Sequence, residues 1–203
     1  WHVNKCSSTR SFTTSKAPVV LFSDGFENGL DNWTALSGFP SSSISSDQHH
    51  SGNNSLKISS DITVMSHTFD KSQNGRVSIW FYDNTSKQSY LGVVARADDG
   101  DKCISLGAVT DISKTNYVYR IDDKINNVEK ATSIARTTGW HELKWDYTSG
   151  TGVDLYIDGH KVASSTVLTA FSKIAMGDYW TQYRTSNLCF DDVEVRVLDT
   201  TAP

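Results

Sequence analysis

Hydrophobic and polar residues alternate with a period of two along much of this chain. Between residues 140 and 147, one face would carry ring and aliphatic side chains and the other charged ones: His141, Leu143, Trp145 and Tyr147 against Glu142, Lys144 and Asp146. A second alternating run, Val153 to Ile157, follows a Gly-rich turn. Asp158-Gly159 then permits another tight turn, because glycine accepts a positive φ. This pattern predicts a meander of three antiparallel strands with one buried face.

The rest of the chain repeats this pattern in short segments separated by turn residues. Strands are expected from residue 19, over 55–58, 64–69, 75–83, 90–97, 103–109, 117–121, 131–136 and 170–177, and finally over 188–197. Residues 124–134 come nearest to a helical period, but β-branched residues weaken a helix there. About a dozen short strands predict an all-β protein, a two-sheet antiparallel β-sandwich of the jelly-roll kind.

Length and local composition predict one domain with short flanking segments. Residues 18–198 are expected to form the sandwich, within a chain of 203 residues. Residues 1–17, rich in Ser, Thr and Lys, are expected to be a linker or an N-terminal arm. Residues 199–203 are expected to begin a C-terminal linker.

Charge and hydropathy restrict the possible partners. The net charge of −4 argues against nucleic acid or an anionic membrane recognised through bulk electrostatics. The sequence contains no run of 18 or more apolar residues, the length that a helix needs to cross a bilayer. The first residues lack the basic start and apolar block of a signal peptide. We therefore expect a mature segment or a module cut from a longer chain.

The three cysteines leave the redox compartment open. Cys189 alternates in phase with Val193 and Val195, which predicts that its side chain points into the core. Cys103 is opposite in phase to Ile104, which argues against a bridge between Cys103 and Cys189. Buried free thiols are common in proteins, so no disulfide is required.

Six short motifs occur in order along the chain. They are Phe22-Ser-Asp-Gly-Phe-Glu-Asn-Gly-Leu-Asp-Asn-Trp33, His50-Ser-Gly-Asn-Asn-Ser-Leu-Lys57, Ser78-Ile-Trp-Phe-Tyr-Asp83, Gly139-Trp-His141, Tyr156-Ile-Asp-Gly159 and Phe190-Asp-Asp-Val-Glu-Val195. Together they resemble the motifs of bacterial jelly-roll carbohydrate-binding modules, over Phe22 to Val197. The resemblance implies a secreted or cell-surface, non-catalytic module that targets an attached catalytic domain, in the same parent chain, to a polysaccharide. Laminin-G-like and concanavalin-like domains share the architecture, and fold alone does not give function.

The same resemblance implies a structural Ca²⁺ that joins the first strand to the last. The matching positions are Glu27, the loop at Ser51, and Asp191 or Asp192. Strict alternation would point Asp191 toward the core beside Val193, where a carboxylate needs a cation or hydrogen bonds. The alternative is that Glu27 and Asp191 cap turns or accept hydrogen bonds from backbone amides.

The aromatic content, with six Trp and eight Tyr, makes carbohydrate recognition plausible. Trp33, Phe81 and Trp145 occupy apolar positions and are expected to pack in the core. Candidate ligand residues occur on the loop after residue 178, namely Tyr179, Trp180, Tyr183 and Arg184, and on strands, namely Tyr82, Tyr90, Arg96, Tyr117 and Tyr119. An arginine among them would suit an acidic sugar. The alternative is that the loop simply folds over one end of the sandwich.

Catalysis is the minority interpretation. The sequence has no Gly-x-Ser-x-Gly, no His-Glu-x-x-His and no phosphate loop. Glu142 and Asp146 share a strand face, but Lys144 lies between them. His141 alternates with core residues and is expected to be a hydrogen-bonded core histidine. A jelly-roll lyase or hydrolase, and a laminin-G-like adhesion or structural domain, therefore remain the alternatives to a binding module.

Overall fold

A computed structural model describes residues 17–35, 42–59, 63–85, 92–99, 102–123, 125, 127–178 and 188–198. Fifteen strands are described: β1 Pro18–Asp24, β2 Thr34–Ala35, β3 Ser42–Ser45, β4 Ser55–Ile58, β5 Val64–Gln73, β6 Gly75–Asp83, β7 Gly92–Asp99, β8 Lys102–Val109, β9 Asn116–Asp122, β10 Asn127–Ala135, β11 Gly139–Asp146, β12 Val153–Ile157, β13 His160–Ser165, β14 Phe171–Asp178 and β15 Leu188–Leu198. In the described residues, no helix is long and apolar enough to cross a membrane.

The strands form two antiparallel sheets. The first, sheet A, has the order β13-β12-β11-β6-β15-β4-β3, with β1 also paired to β15. The second, sheet B, has the order β10-β9-β8-β7-β14-β5-β2. One edge of β15 pairs with β6 along its length, while its other edge pairs first with β4 and then with β1. The predicted all-β sandwich is confirmed.

The core lies between the two sheets and is built from alternate residues of each strand. On β6, Val77, Ile79 and Phe81 are buried while the residues between them are not. Trp145 on β11 has no exposed surface, and its indole Nε1 donates to the Ile104 carbonyl on β8 at 3.0 Å. This hydrogen bond links sheet A to sheet B through the interior. The predicted packing of Trp33, Trp145 and Phe81 is confirmed.

The predicted three-strand meander is also present. Strands β11, β12 and β13 pair consecutively, and Ile157 lies opposite His160 across a two-residue turn. Asp158 and Gly159 have φ of 49° and 75°, as the tight hairpin turn requires.

Two parts of the fold differ from the sequence prediction. The Ser-rich stretch contains edge strand β3, which is paired to β4 by its backbone rather than marked by apolar alternation. The segment nearest to a helical period lies mostly in β10, which pairs with β9. Tertiary pairing overrides weak local preference at both places.

Alternation predicted the wrong face for two residues of β15. Phe190 lies opposite the core residue Phe81, whereas Cys189 and Asp191 lie opposite Tyr82 and Trp80 on the outer face of sheet A. A β-bulge between residues 191 and 194, with Asp192 at φ 43°, then inserts one residue. After the bulge, Val193 and Val195 point into the core, as strict alternation predicted. Both side chains are nevertheless buried, and Asp191 lies under the loop that contains His50 and Ser51. No disulfide joins Cys103 to Cys189, which agrees with the argument against that bridge.

Replacing Trp145 by Phe should lower the free energy of unfolding by about 1–3 kcal/mol. The change removes the indole donor to Ile104 and leaves a gap in a filled interior. Urea unfolding followed by circular dichroism measures the effect. Trp140→Phe, a change on the half-buried outer face, is the control and should cost clearly less. Equal losses for the two variants would contradict the stated role of Trp145.

Candidate functional site

The loop formed by residues 47–54 folds across the outer face of β15 and is held there by carboxylates. Glu27, in the turn after β1, accepts hydrogen bonds through Oε1 from the backbone amides of Asn53 and Asn54, both at 2.8 Å. These amides lower the pKa of Glu27. Gly52 lies against this carboxylate at φ 62°, and a Cβ there would overlap Glu27 Oε1. The loop therefore favours glycine at this position.

The bulge of β15 supplies the other two anchors of the 47–54 loop. Asp191 accepts through Oδ2 from the amides of His50 at 2.7 Å and Ser51 at 3.1 Å. Asp192 accepts from Ser51 Oγ at 2.7 Å and faces His50 Nδ1 at 2.6 Å. Burial raises the pKa of Asp191, and the amides of His50 and Ser51 oppose that rise. Because the bulge exposes two consecutive carboxylates to one loop, it fixes the loop on the sheet.

The predicted metal residues thus lie around one loop, but their oxygens already have donors. Five backbone N–H groups, those of residues 50, 51, 53, 54 and 192, point at the carboxylates of Glu27 and Asp191. Ligating carboxylates in metal sites are themselves commonly hydrogen-bonded, so these contacts alone do not decide for or against a cation. No cluster of three or more His, Cys, Asp or Glu with metal-site geometry occurs within the described ranges. The contacts match the alternative in which Glu27 and Asp191 accept hydrogen bonds from backbone amides, and the Ca²⁺ stays a prediction.

The 47–54 loop also completes a group of aromatic rings on the outer face of sheet A. The His50 ring stacks on Trp80 with centroids 3.7 Å apart and planes 15° apart. Trp140 packs edge-on to both His50, at 5.8 Å, and Tyr82, at 5.6 Å. His50 is held by Asp192, so the bulge sets the position of the ring that supports Trp80.

A cleft of about 440 Å³ lies beside Trp80 on this face. It crosses four neighbouring strands, β11, β6, β15 and β1, a width of about 14 Å at normal strand spacing. Its lining comprises one indole, four carboxylates and small residues: Trp80, Asp24, Glu142, Asp192, Glu194, Ser23, Gly25, Ser78 and Val193. His50 is not among these lining residues. The cleft thus combines an aromatic surface with hydrogen-bond acceptors.

The carboxylates of the cleft differ in how fully they are engaged. Asp24 accepts from the amide of Phe26 and from Trp33 Nε1, so it also holds the β1 turn. Glu194 is paired with Arg196 by bonds of 2.5 and 3.0 Å. Among the described contacts, the Glu142 carboxylate accepts no hydrogen bond, although Glu142 lies directly opposite Trp80. Glu142 is therefore the acceptor most available to a bound molecule.

The structure separates the other sequence-predicted ligand residues. Tyr82 lies on the outer face of sheet A beside Trp140. Tyr117 is fully buried in the core, where burial raises its pKa far above the usual range, so it cannot line a surface groove as predicted. Tyr119 is half-buried and packs against the core. Tyr90, Tyr179, Trp180, Tyr183 and Arg184 lie outside the described residues, and Arg96 is described only by its backbone pairing with Ser105 and Ala175.

His141 is the hydrogen-bonded core histidine that alternation predicted. It is 8% exposed, with Nδ1 2.7 Å from Asp158 Oδ2 and Nε2 2.9 Å from the Thr137 carbonyl. Nearby, Arg136 and Asp83 form a buried two-pronged ion pair at 2.7 and 2.8 Å. Because both His141 ring nitrogens already have protein partners, this cluster stabilises one end of the sandwich and presents no free base.

Sequence reasoning missed Trp80, Glu142 and Glu194 as members of one site. Alternation does show that Trp80 points away from the core, and this was the available signal. Sequence spacing cannot show that β11, β6 and β15 are neighbours, because β6 and β15 are separated by more than a hundred residues.

No protein-family model matches this chain, and no curated protein matches it in sequence. Solved structures do share its fold. Domain 4 of an extracellular GH43 arabinanase from Geobacillus stearothermophilus, solved with arabinotriose, has a TM-score of 0.64 at 16% identity and covers 89% of this chain and 93% of its own. A carbohydrate esterase of the Shiga toxin-encoding bacteriophage phi24B has a TM-score of 0.63 at 17% identity, and the match covers 90% of this chain and 100% of that one.

A GH16 endo-β-1,3(4)-glucanase is a third similar structure. Its TM-score is 0.57 at 14% identity, and the match covers 90% of this chain and 94% of that one. At these identities the likeness defines the fold alone. The chain is an all-β sandwich with jelly-roll neighbours.

Gly52→Ala should lower the free energy of unfolding by about 1–3 kcal/mol, because the new Cβ adds strain at positive φ and meets Glu27. Gly159→Ala is the matched control. Its φ of 75° is close to that of Gly52, but no atom lies within 4 Å of the new Cβ, so only backbone strain applies. Denaturant unfolding of both variants checks this. An equal or larger loss for Gly159→Ala would contradict the close contact of Gly52 with Glu27.

Chelation tests whether the carboxylates of Glu27, Asp191 and Asp192 hold a cation. Since N–H and O–H groups of the protein already donate to these carboxylates, the melting temperature should be the same in excess EDTA and in millimolar Ca²⁺. Scanning calorimetry of the chelator-treated protein makes the measurement. A rise of several degrees with Ca²⁺, absent with Mg²⁺, would instead support the calcium site that the family resemblance implies.

Proposed function

We propose that this chain is a non-catalytic carbohydrate-binding module that uses the cleft beside Trp80. The observation that carries the proposal is the cleft itself, where an indole lies next to carboxylates on a rigid sheet. The apolar C–H face of a sugar packs on an aromatic ring, while its hydroxyl groups donate to carboxylate oxygens. Trp80, Glu142 and Ser78 supply both kinds of contact from adjacent strands.

The rigidity of the site supports recognition of a ligand without large rearrangement. Trp80 is supported from one side by His50, which is held by Asp192 in the β15 bulge. A ring fixed in this way loses little conformational freedom when a sugar packs on it. The carbohydrate-related sandwiches among the structural neighbours support the same class of ligand.

In this proposal the module is part of a secreted or cell-surface protein. By holding a polysaccharide it would raise the effective concentration of an attached catalytic domain at the glycan. Trp180 and Tyr183, which lie outside the described residues, remain a second proposed contact.

Catalysis is the second candidate, because Glu142 and Glu194 flank β6 on opposite sides of the cleft. Paired carboxylates on either side of a sugar are the usual requirement for glycoside hydrolysis. Glu194, however, is paired with Arg196 through both carboxylate oxygens, and this engagement favours a binding role. Release of reducing ends by the wild type, lost in Glu142→Gln, would establish an enzyme.

Trp80→Ala should weaken the binding of the protein to a polysaccharide held in the gel about tenfold or more, because the stacking surface is removed. Affinity electrophoresis against neutral and acidic polysaccharides measures retention. Tyr156→Ala is the matched control, since Tyr156 lies on the same sheet but outside the cleft. Circular dichroism of both variants checks folding.

Two outcomes would contradict the cleft as the binding site. The first is unchanged retention in Trp80→Ala together with its loss in Trp180→Ala or Tyr183→Ala, which would move the site to the loop. The second is no retention of the wild type by any polymer, which would favour a laminin-G-like protein-binding domain.

A further inference from the structure

We propose that the cleft selects glycans that carry free amino groups and disfavours polymers of uronic acids. This inference rests on the proposed function and adds the charge class of the ligand. The inference follows from the carboxylates that line the cleft and from which of these carboxylates already have a basic partner in the protein.

The cavity has an excess of negative charge. Asp24, Glu142, Asp192 and Glu194 line it, and among the described lining residues none is lysine or arginine. A concave site with carboxylates of one sign attracts cations and repels anions more strongly than an open surface does. A uronate or sulfate placed on Trp80 would therefore approach a lining in which the described carboxylates outnumber the basic side chains that pair with them.

The nearby cations are directed elsewhere. Arg196 makes two bonds to Glu194 and neutralises that one carboxylate. Lys144 lies over the ring of Tyr156, with Nζ 4.7 Å from its centroid. Within the described part of the chain, Asp24, Glu142 and Asp192 have no Arg or Lys partner, and Asp192 faces the His50 ring instead.

Glu142 is placed to receive an ammonium group. It lies directly opposite Trp80 on the neighbouring strand, and its carboxylate accepts no hydrogen bond among the described contacts. A sugar ring stacked on Trp80 would carry its substituents toward the adjacent strand. An ammonium donor there forms a charge-assisted hydrogen bond, which is stronger than one from a neutral amide or hydroxyl.

The experiment compares oligosaccharides of equal length by isothermal titration calorimetry at mildly acidic pH, where carboxylates stay ionised. The ligands are oligomers of glucosamine, N-acetylglucosamine, glucose and galacturonic acid. We expect the glucosamine oligomer to bind about fivefold tighter than its acetylated counterpart, with the preference shrinking at high salt. The galacturonic acid oligomer should bind most weakly.

Glu142→Gln keeps the shape of the side chain and removes its charge. It should reduce the preference for glucosamine over N-acetylglucosamine severalfold, and should weaken glucose binding less than glucosamine binding, because the amide oxygen still accepts from a hydroxyl but no longer pairs with an ammonium. Asp111→Asn is the matched control: Asp111 is exposed in the turn after β8, on the other sheet, and its substitution should leave the preference intact.

The outcomes separate the two proposals. Binding of glucose or acetylated oligomers as tight as that of glucosamine, or tighter binding of galacturonic acid, overturns this inference and leaves the binding module standing, provided Trp80→Ala abolishes it. A glucosamine preference that Asp111→Asn reduces as much as Glu142→Gln also overturns it, because bulk charge would then explain the effect. Absence of binding to every oligomer overturns both proposals.

Discussion

The β-bulge at Asp191 and Asp192 is the constraint on which the outer face of sheet A depends. Before it, β15 pairs with β4, and after it with β1, so the bulge lies where one partner strand replaces the other. There Asp191 accepts from the backbone amides of His50 and Ser51, and Asp192 holds the side chains of the same two residues. The inserted residue reverses the direction of every later side chain relative to strict alternation. Strand pairing, the anchored loop and the direction of Asp191 therefore have one cause.

That junction extends into the candidate site. Asp192 contacts both the loop and the cleft, because it holds His50 and also lines the cavity. His50 in turn stacks on Trp80. A feature that closes the sandwich thus also sets the orientation of the aromatic surface. In this arrangement the stability of the loop and the shape of the cleft depend on the same few hydrogen bonds.

Most of the fold could be predicted from alternation, while the site could not. Strands such as β4 and β6 match their predicted limits because one face of each packs on the core. Strand β3 was not expected, since its pairing with β4 is made by backbone groups that carry no sequence pattern. Asp191 was assigned to the wrong face because a bulge is invisible to a period of two. Tyr117 was taken for a groove residue, although it shares the core face.

The charge expected of the ligand also changes once side chains are placed. Arg96 suggested an acidic sugar, whereas the described cleft is lined by carboxylates. The carboxylates of the cleft come from strands that are neighbours in the sheet but distant in sequence, so the sequence alone does not show that they meet.

The most direct test of this account follows backbone and indole N–H resonances of the ¹⁵N-labelled protein during titration with an oligosaccharide. The account predicts that the largest shifts fall on the Trp80 indole, on Glu142 and on residues 192–194. Shifts confined to residues 179–185, with the Trp80 indole unmoved, would contradict it.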